Sequence, residues 1–192
     1  DVDLLYTRCV ATPHGWTFAV PNLDSVSYGY LYNDTITSKK DARKDFLDRF
    51  DLPEVDNELT FDNYVAKSMF IGERTILNGN KFCFIEPLEA TSTSFYHLVG
   101  VIAWNYMFSE GLGTSKKESN YFIQREVEKI QNFVMWHYAK GSKYNTPFWN
   151  YAKKLSKGTW DRDNELQSAI NFSRLGTRSQ FHNMTDSYSQ WH

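Results

Sequence analysis

A mixed α/β fold is predicted for this 192-residue sequence, with a β-meander at the start and long core helices after it. Three observations carry the prediction. Apolar and polar residues alternate with a period of two in short runs through the first 32 residues, the pattern of half-buried strands. The run from Glu89 to Phe108 is almost continuously apolar and aromatic, too long for a typical strand. Between Glu118 and Ala139, Phe122, Ile123, Val127, Ile130, Phe133, Val134 and His137 recur at steps of three and four, the period of a helix with one apolar face.

Taken in order, strands are expected over 4–10 and 16–20, joined through the turn-forming Thr12-Pro13-His14-Gly15, and again over 28–32. From Ser38 to Phe50, charged residues interleave with Ala42, Phe46, Leu47 and Phe50 at helical spacing; Ser38 is suited to cap this helix and Pro53 to end it. A strand pair is expected over 66–71 and 74–78. The apolar run to Phe108, closed by Gly111, reads as a buried core helix. Ser115-Lys116-Lys117-Glu118 has the form of a capping box for the next long helix, which Gly141 stops. Thr146-Pro147 places a cap before a proline at the first helical position, launching a helix over 148–155 that Gly158 is expected to close. The polar tail from Gly176 is expected to be poorly ordered or docked on a neighbour.

Composition narrows the function classes. Lys plus Arg number 21 against 23 Asp plus Glu, so no strong field favours nucleic acid or an anionic membrane. Cys9 and Cys83 lie far apart with no CxxC spacing, which indicates neither a disulfide framework nor a zinc site and suits a reducing, cytoplasmic setting. No apolar run approaches the roughly 20 residues that span a bilayer, and Asp1-Val2-Asp3 is unlike a signal peptide, so a soluble chain is expected. The start without Met, and a strand already in progress at Leu4, suggest that an N-terminal portion precedes it. The 17% aromatic content suits a protein that sandwiches flat ligands and equally suits an aromatic core.

The segment running from Gly79-Asn80 through the apolar Phe82-Cys83-Phe84-Ile85 to Glu86-Pro87-Leu88-Glu89-Ala90-Thr91-Ser92 is the most informative. A glycine turn, an apolar run and an acidic, proline-marked helix start place a carboxylate beside backbone amides that welcome anions. Few chemistries use that juxtaposition.

Three ordered segments resemble the flavin-dependent tryptophan halogenases, over roughly residues 5 to 155. They are Gly15-Trp16-Thr17-Phe18-Ala19-Val20-Pro21 with Gly29-Tyr30-Leu31-Tyr32; the Gly79–Ser92 segment; and His137-Tyr138 with Thr146-Pro147-Phe148-Trp149. The first is similar to the family's WxWxIP signature, with Phe18 at the second tryptophan; alone it would read as a buried strand before a proline. The resemblance implies that Trp16 and Phe18 wall the substrate chamber off from the flavin. In the second segment it implies that Gly79, Asn80 and Pro87 approach FAD, that backbone amides around Thr91 and Ser92 hold a halide, and that Glu89 is the catalytic glutamate. Taken alone, Glu89 is an ordinary first-turn acid. Asn80 stands where the family has aspartate, and Ser92 where it has glycine. In the third, Tyr138, Phe148 and Trp149 match aromatics that stack on the indole. Tyr144 stands where the tryptophan enzymes carry an acid that holds the substrate's amino-acid end, which points to a neutral or differently charged aromatic substrate.

The implied fold is the C-terminal part of a flavoprotein-monooxygenase-like fold. Residues 1–78 would form mainly strands of a substrate- and flavin-facing sheet, 79–111 the flavin and halide motif with the core helix, and 112–192 a helical substrate-clamping region. The implied activity is halogenation of an indole-like substrate through a flavin hydroperoxide and hypohalous acid, with halide as co-substrate and a separate flavin reductase as partner. The family's glycine-rich dinucleotide fingerprint and its lysine are absent from this sequence. A missing N-terminal FAD-binding portion, or a second chain, is therefore expected as a partner. A flavin-dependent monooxygenase that hydroxylates, and a catalytically silent aromatic-binding module, are the alternatives. His14, His97, His137, His182 and His192 lack metal-ligand spacing and read as surface or capping histidines. The Asn33, Asn171 and Asn183 sequons carry little weight in a chain without a secretory signal.

Overall fold

The computed structural model describes residues 6–88, 91–108 and 115–160, with Thr91, Thr159 and Trp160 described by their backbone alone. The chain divides into two compact units, Asp1–Glu58 with Met135–His192, and Leu59–Val134. The predicted mixture of strands and helices is what forms.

In the first unit, β1 (Arg8–Thr12), β2 (Gly15–Pro21) and β3 (Val26–Tyr32) make an antiparallel meander in the order β1-β2-β3. Because the side-chain period of a strand is two, the register assigns the faces. Trp16, Phe18 and Val20 share one face with Ala11 and Cys9 of β1 and with Leu31, Gly29 and Ser27 of β3. Tyr28, Tyr30 and Tyr32 share the other with Ala19, Thr17 and Gly15. Gly15 is required by space: a Cβ there would stand 2.9 Å from the carbonyl carbon of Leu31 and closer still to its oxygen.

The tyrosine face packs on α1 (Lys39–Phe50), whose Ala42 and Phe46 are buried one turn apart. Tyr28 meets Phe50 at 4.4 Å between ring centroids, and Tyr30 meets Phe46 edge-on at 6.1 Å. Ser38 caps the helix as expected, its hydroxyl oxygen accepting from Asp41 N–H at 3.1 Å. The stop differs from the expected Pro53. Asp51 takes the left-handed conformation at φ 52°, ψ 48°, and Leu52 N–H donates to the Leu47 carbonyl, so the turn is closed two residues before the proline.

A polar chain crosses this interface. The buried Thr12 hydroxyl donates to Tyr30 OH at 2.9 Å, and Tyr30 OH donates to an Asp45 carboxylate oxygen at 2.7 Å. On the other side of the unit, α4 (Pro147–Trp160) begins at Thr146. The Thr146 hydroxyl donates to the Pro13 carbonyl at 2.6 Å, and its oxygen accepts the Trp149 N–H at 3.4 Å. α4 runs past Gly158, which does not end it. A glycine inside a helix costs only about 1 kcal/mol, less than a break in a packed element.

The second unit is built from small ladders and two helices. β4 (Tyr64–Val65) pairs with β7 (Cys83–Phe84), and β5 (Phe70–Ile71) pairs with β6 (Thr75–Ile76), turning through Gly72 at φ +58°. The strands expected over 66–71 and 74–78 are thus two residues each. Single bonds, Ala66 N–H to Phe82 O and Leu77 N–H to Met69 O, extend the pairing. The Asn120 side chain accepts from Met69 N–H at 2.9 Å and donates to Ser68 Oγ at 3.0 Å, while Gln124 Nε2 donates to Ala66 O at 2.9 Å. These backbone and side-chain groups bond to α3 (Lys116–Lys140) instead of to another strand. Ser115 caps α3 through Glu118 N–H at 3.1 Å.

The core of this unit gathers Met69, Phe82 and Cys83 with Phe95, Val99 and Ile102 of α2 (Thr91–Phe108) and Ile123 and Val127 of α3. Phe82 and Phe95 stack at 5.8 Å with rings 9° apart. α2 is not buried all round. Phe95, Val99 and Ile102 form one buried stripe, whereas Trp104 is 61% and Phe108 65% exposed. Apolar residues occur on every side of this helix, so the sequence pattern does not distinguish its faces. Among the described residues no helix is long and apolar enough to cross a membrane.

Burial, opposed by the Thr12 hydroxyl but reinforced by Asp45, holds the Tyr30 phenol neutral well above its ordinary value of 10.0. A raised value in the folded state means that this stabilisation is complete below pH 10 and is lost as pH rises from there towards the folded value. Tyr30→Phe is therefore expected to lower the stability at pH 7, read from the denaturant midpoint, by about 1–3 kcal/mol, because the buried Thr12 hydroxyl loses its acceptor while Asp45 keeps Arg49. It should also flatten the alkaline decline of the midpoint above about pH 10. A decline as steep as the parent's would contradict the assignment.

Candidate functional site

The residues singled out in the sequence fall in two places, one in each unit. In the first unit, five aromatics from three elements converge. β2 carries Trp16 and Phe18, α3 carries Tyr138, and α4 carries Phe148 and Trp149. Trp16 Nε1 donates to Tyr138 OH at 2.9 Å across 122 positions of sequence. Tyr138 lies 6.2 Å from Phe148 and 5.9 Å from Trp149 between ring centroids, and Phe148 and Trp149 meet edge-on at 5.2 Å and 88°. Trp16 and Phe18 are 6.0 Å apart.

Burial divides this array. Trp149 and Trp16 are 0% and 1% exposed, and Phe148 is also buried. Both indole N–H groups are engaged inside the fold, Trp16 on Tyr138 and Trp149 Nε1 on the Thr12 carbonyl at 2.6 Å. Phe18 and Tyr138 are half-buried. The array is a wall whose inner layer is packed and whose outer layer presents ring surface. His137 belongs to the inner layer: it is 2% exposed and stands edge-on to Trp136 at 5.1 Å, so it is a core histidine and not the surface or capping residue expected. Its place in the helical stripe that runs from Phe122 through Val134 is consistent with that burial.

Tyr144 lies in the connection before α4. Its carbonyl accepts from Lys153 Nζ at 3.1 Å, and its N–H donates to Ser142 Oγ at 3.1 Å. The charge placed beside this position is therefore positive.

In the second unit, Gly79–Lys81 is a single 3-10 turn capped by Asn78, whose Oδ1 accepts from Gly79 N–H at 2.7 Å. Gly79 is left-handed at φ +57°, and nothing stands within 4 Å of where its Cβ would be. The turn is tied to α2 twice at Tyr96: Asn78 Nδ2 donates to the Tyr96 carbonyl at 3.2 Å, and the Tyr96 hydroxyl donates to Asn80 Oδ1. An acceptor at residue 80 meets this bond with or without a charge. Tyr96 was not evident from the sequence, because an aromatic inside an apolar helix carries no mark of a polar partner.

β7 follows the turn, with Cys83 buried so that its thiol is pushed up to about 11 by desolvation. Glu86 N–H donates to Asn63 Oδ1 at 3.0 Å, Pro87 is exposed and Leu88 is buried. Glu89 lies outside the described residues. Thr91 opens the described part of α2, and Ser92 is half-buried in its first turn. A groove of about 500 Å³ is lined by Val65 of β4 and by Tyr121, Gln124, Arg125, Val127, Glu128 and Gln131 of α3, none of which is a candidate site residue.

The tryptophan halogenase family model matches residues 3–188. The chain belongs to that family. Among curated relatives, this halogenase-family chain is 25% identical over 154 residues to the tryptophan 7-halogenase of Lentzea aerocolonigenes, covering 78% of itself and 29% of that protein. It is 25% identical over 153 residues to the tryptophan 6-halogenase of Streptomyces albogriseolus, with the same shares covered. The chain thus spans about 29% of the length of the curated relatives it matches. In fold it is similar to the tryptophan halogenase of Shewanella frigidimarina, with TM-score 0.70, 19% identity, and 86% of this chain and 32% of that one covered. It is also similar to a flavin-dependent halogenase of Brevundimonas sp. BAL3, with TM-score 0.66, 21% identity, and 77% and 30% covered.

The bond between Trp16 and Tyr138 gives the wall a direct test. A double-mutant cycle of Trp16→Phe and Tyr138→Phe should return a coupling of about 1 kcal/mol, the net worth of one internal hydrogen bond. Additive losses in urea midpoint would show that the two side chains do not hold one another.

Proposed function

We propose that this chain supplies the aromatic wall and the flavin- and halide-adjacent segment of an FAD-dependent halogenase acting on an indole-like substrate. The observation that carries the reading is the convergence of Trp16, Phe18, Tyr138, Phe148 and Trp149 into one array, two of them half-buried with ring surface left to offer. Aromatic faces at that wall suit a flat ring by offset or edge contact. Family membership supports the reaction class.

The residues at the second place fit a flavin. Gly79 leaves its backbone open, and Asn80 and Pro87 are exposed on either side of the buried Phe82 and Cys83. Gly79 and Asn80 would hold the ribityl and phosphate portion, and Pro87 would lie near the ring system. When bound and reduced by a separate reductase, FAD would supply, with oxygen, the two-electron oxidation that turns halide into an electrophilic halogen. Backbone amides at Thr91 and Ser92, at the start of α2, would hold the halide, because a helix N-terminus favours a small anion. Glu89 would take the proton that leaves the ring carbon as the carbon–halogen bond forms. That role rests on the resemblance of the Pro87-Leu88-Glu89 sequence. The polypeptide that brings the glycine-rich dinucleotide fold would be the partner.

Substrate charge follows from Tyr144. With a neutral phenol at this position and Lys153 on its carbonyl, no carboxylate is supplied there for an ammonium group. A neutral or anionic indole derivative fits this better than free tryptophan.

The test is Glu89→Gln in the FAD-loaded enzyme. Halogenation should fall about 100-fold or more, while FAD binding and oxygen consumption persist. Unchanged halogenation would sink the role of Glu89; hydroxylated product at saturating halide would replace the reaction class with that of a monooxygenase.

A further inference from the structure

We propose that Gly29 is a specificity-determining residue: it provides the space into which the Phe18 ring folds, and so sets how far that ring projects into the aromatic chamber. The inference rests on the reading of Phe18 as a chamber residue and adds a residue that touches no substrate itself.

A glycine in a strand is required either by its backbone conformation or by the space a side chain would fill. The first reason is absent, because among the described residues the left-handed glycines are Gly72 and Gly79. The second is present. Gly29 is the direct cross-strand partner of Phe18 on the same face of the sheet. A Cβ at residue 29 would stand 2.8 Å from Phe18 Cε2 and closer still to Cζ and Cε1. The far end of the ring therefore lies where a side chain at residue 29 would begin.

The other flank of Phe18 is Cys9, and the next residue along β3 on this face is Ser27 opposite Val20. The two direct cross-strand partners of the ring, Cys9 and Gly29, are thus both small. Trp16, one step along the same face, is fully buried and held by Tyr138, whereas Phe18 is half-buried. A methyl group at residue 29 cannot be absorbed by the sheet, whose backbone is fixed by the β2-β3 ladder, so the ring must move off the sheet face. That movement takes chamber depth away from a ligand, and takes more from a long ligand than from a compact one.

The experiment uses the chain with Gly29→Ala, Phe18→Leu and both together, and two neutral probes of different size, indole and N-acetyltryptophanamide. Binding is followed by calorimetry. Gly29→Ala should weaken the larger probe about tenfold and indole far less. The same alanine in the Phe18→Leu background should change neither. An independent reading needs no change at Gly29: the Phe18 ring current should displace a Gly29 Hα resonance upfield, and Phe18→Leu should return it to its ordinary position. Equal losses in both backgrounds, no loss, an undisplaced resonance, or a parent that binds neither probe would overturn the proposal. Coupled binding without halogenation, once the polypeptide that brings the dinucleotide fold is present with FAD, reductase and halide, would instead remove the halogenase reading and leave Gly29 in its role.

Discussion

Two adjacent backbone carbonyls, those of Thr12 and Pro13 at the β1-β2 turn, hold the first unit together. Each accepts a hydrogen bond at 2.6 Å from the start of α4, Thr12 from the Trp149 indole and Pro13 from the Thr146 hydroxyl. The residues concerned are 133 and 137 positions apart. A buried carbonyl without a partner costs about 1–3 kcal/mol, so a turn placed here against an apolar helix would be disfavoured. The same Thr12 sends its hydroxyl to Tyr30, and Tyr30 reaches Asp45 of α1. One residue thus connects α4, the meander and α1.

The aromatic wall depends on that turn. Trp149 is fixed by its bond to Thr12, Tyr138 and Phe148 pack on Trp149, and Trp16 is tied to Tyr138. With both indole N–H groups used inside the fold, the wall offers a ligand ring faces rather than donors. In the second unit an analogous economy holds: Tyr96 braces Asn78 and Asn80, and so fixes the open Gly79 turn against α2.

Local chemistry was the legible part of the sequence. Ser38 before an amphipathic run, Ser115 three residues before Glu118, and Thr146-Pro147 each solve the problem of unpaired helix N–H groups within a few residues, and each forms as read. The meander was legible because alternation survives where one face is aromatic. What depended on distant partners was not legible. Asp51 rather than Pro53 ends α1, Gly158 lies inside α4, and the β4-β7 pairing joins residues that show no alternation. The buried stripe of α2 was hidden because Trp104 and Phe108 on its exposed side are as apolar as Phe95 and Val99 on the other. Of the site, the five aromatics singled out in the sequence meet in one array, yet Gly29 and Tyr96 emerge only from register and packing. Glu89 lies where the structure gives no description, so its role stands on the sequence pattern.

The central claim is that the Thr12 carbonyl holds the Trp149 indole, and with it the wall. Hydrogen exchange of the indole Nε1 protons, resolved by NMR with Trp149→Phe to assign the resonance, measures it directly. The Trp149 proton should exchange only with global unfolding, orders of magnitude more slowly than that of Trp104, which is 61% exposed. A Trp149 proton that exchanges as fast as Trp104 would show that the bond to the turn does not exist and that the wall is held by something else.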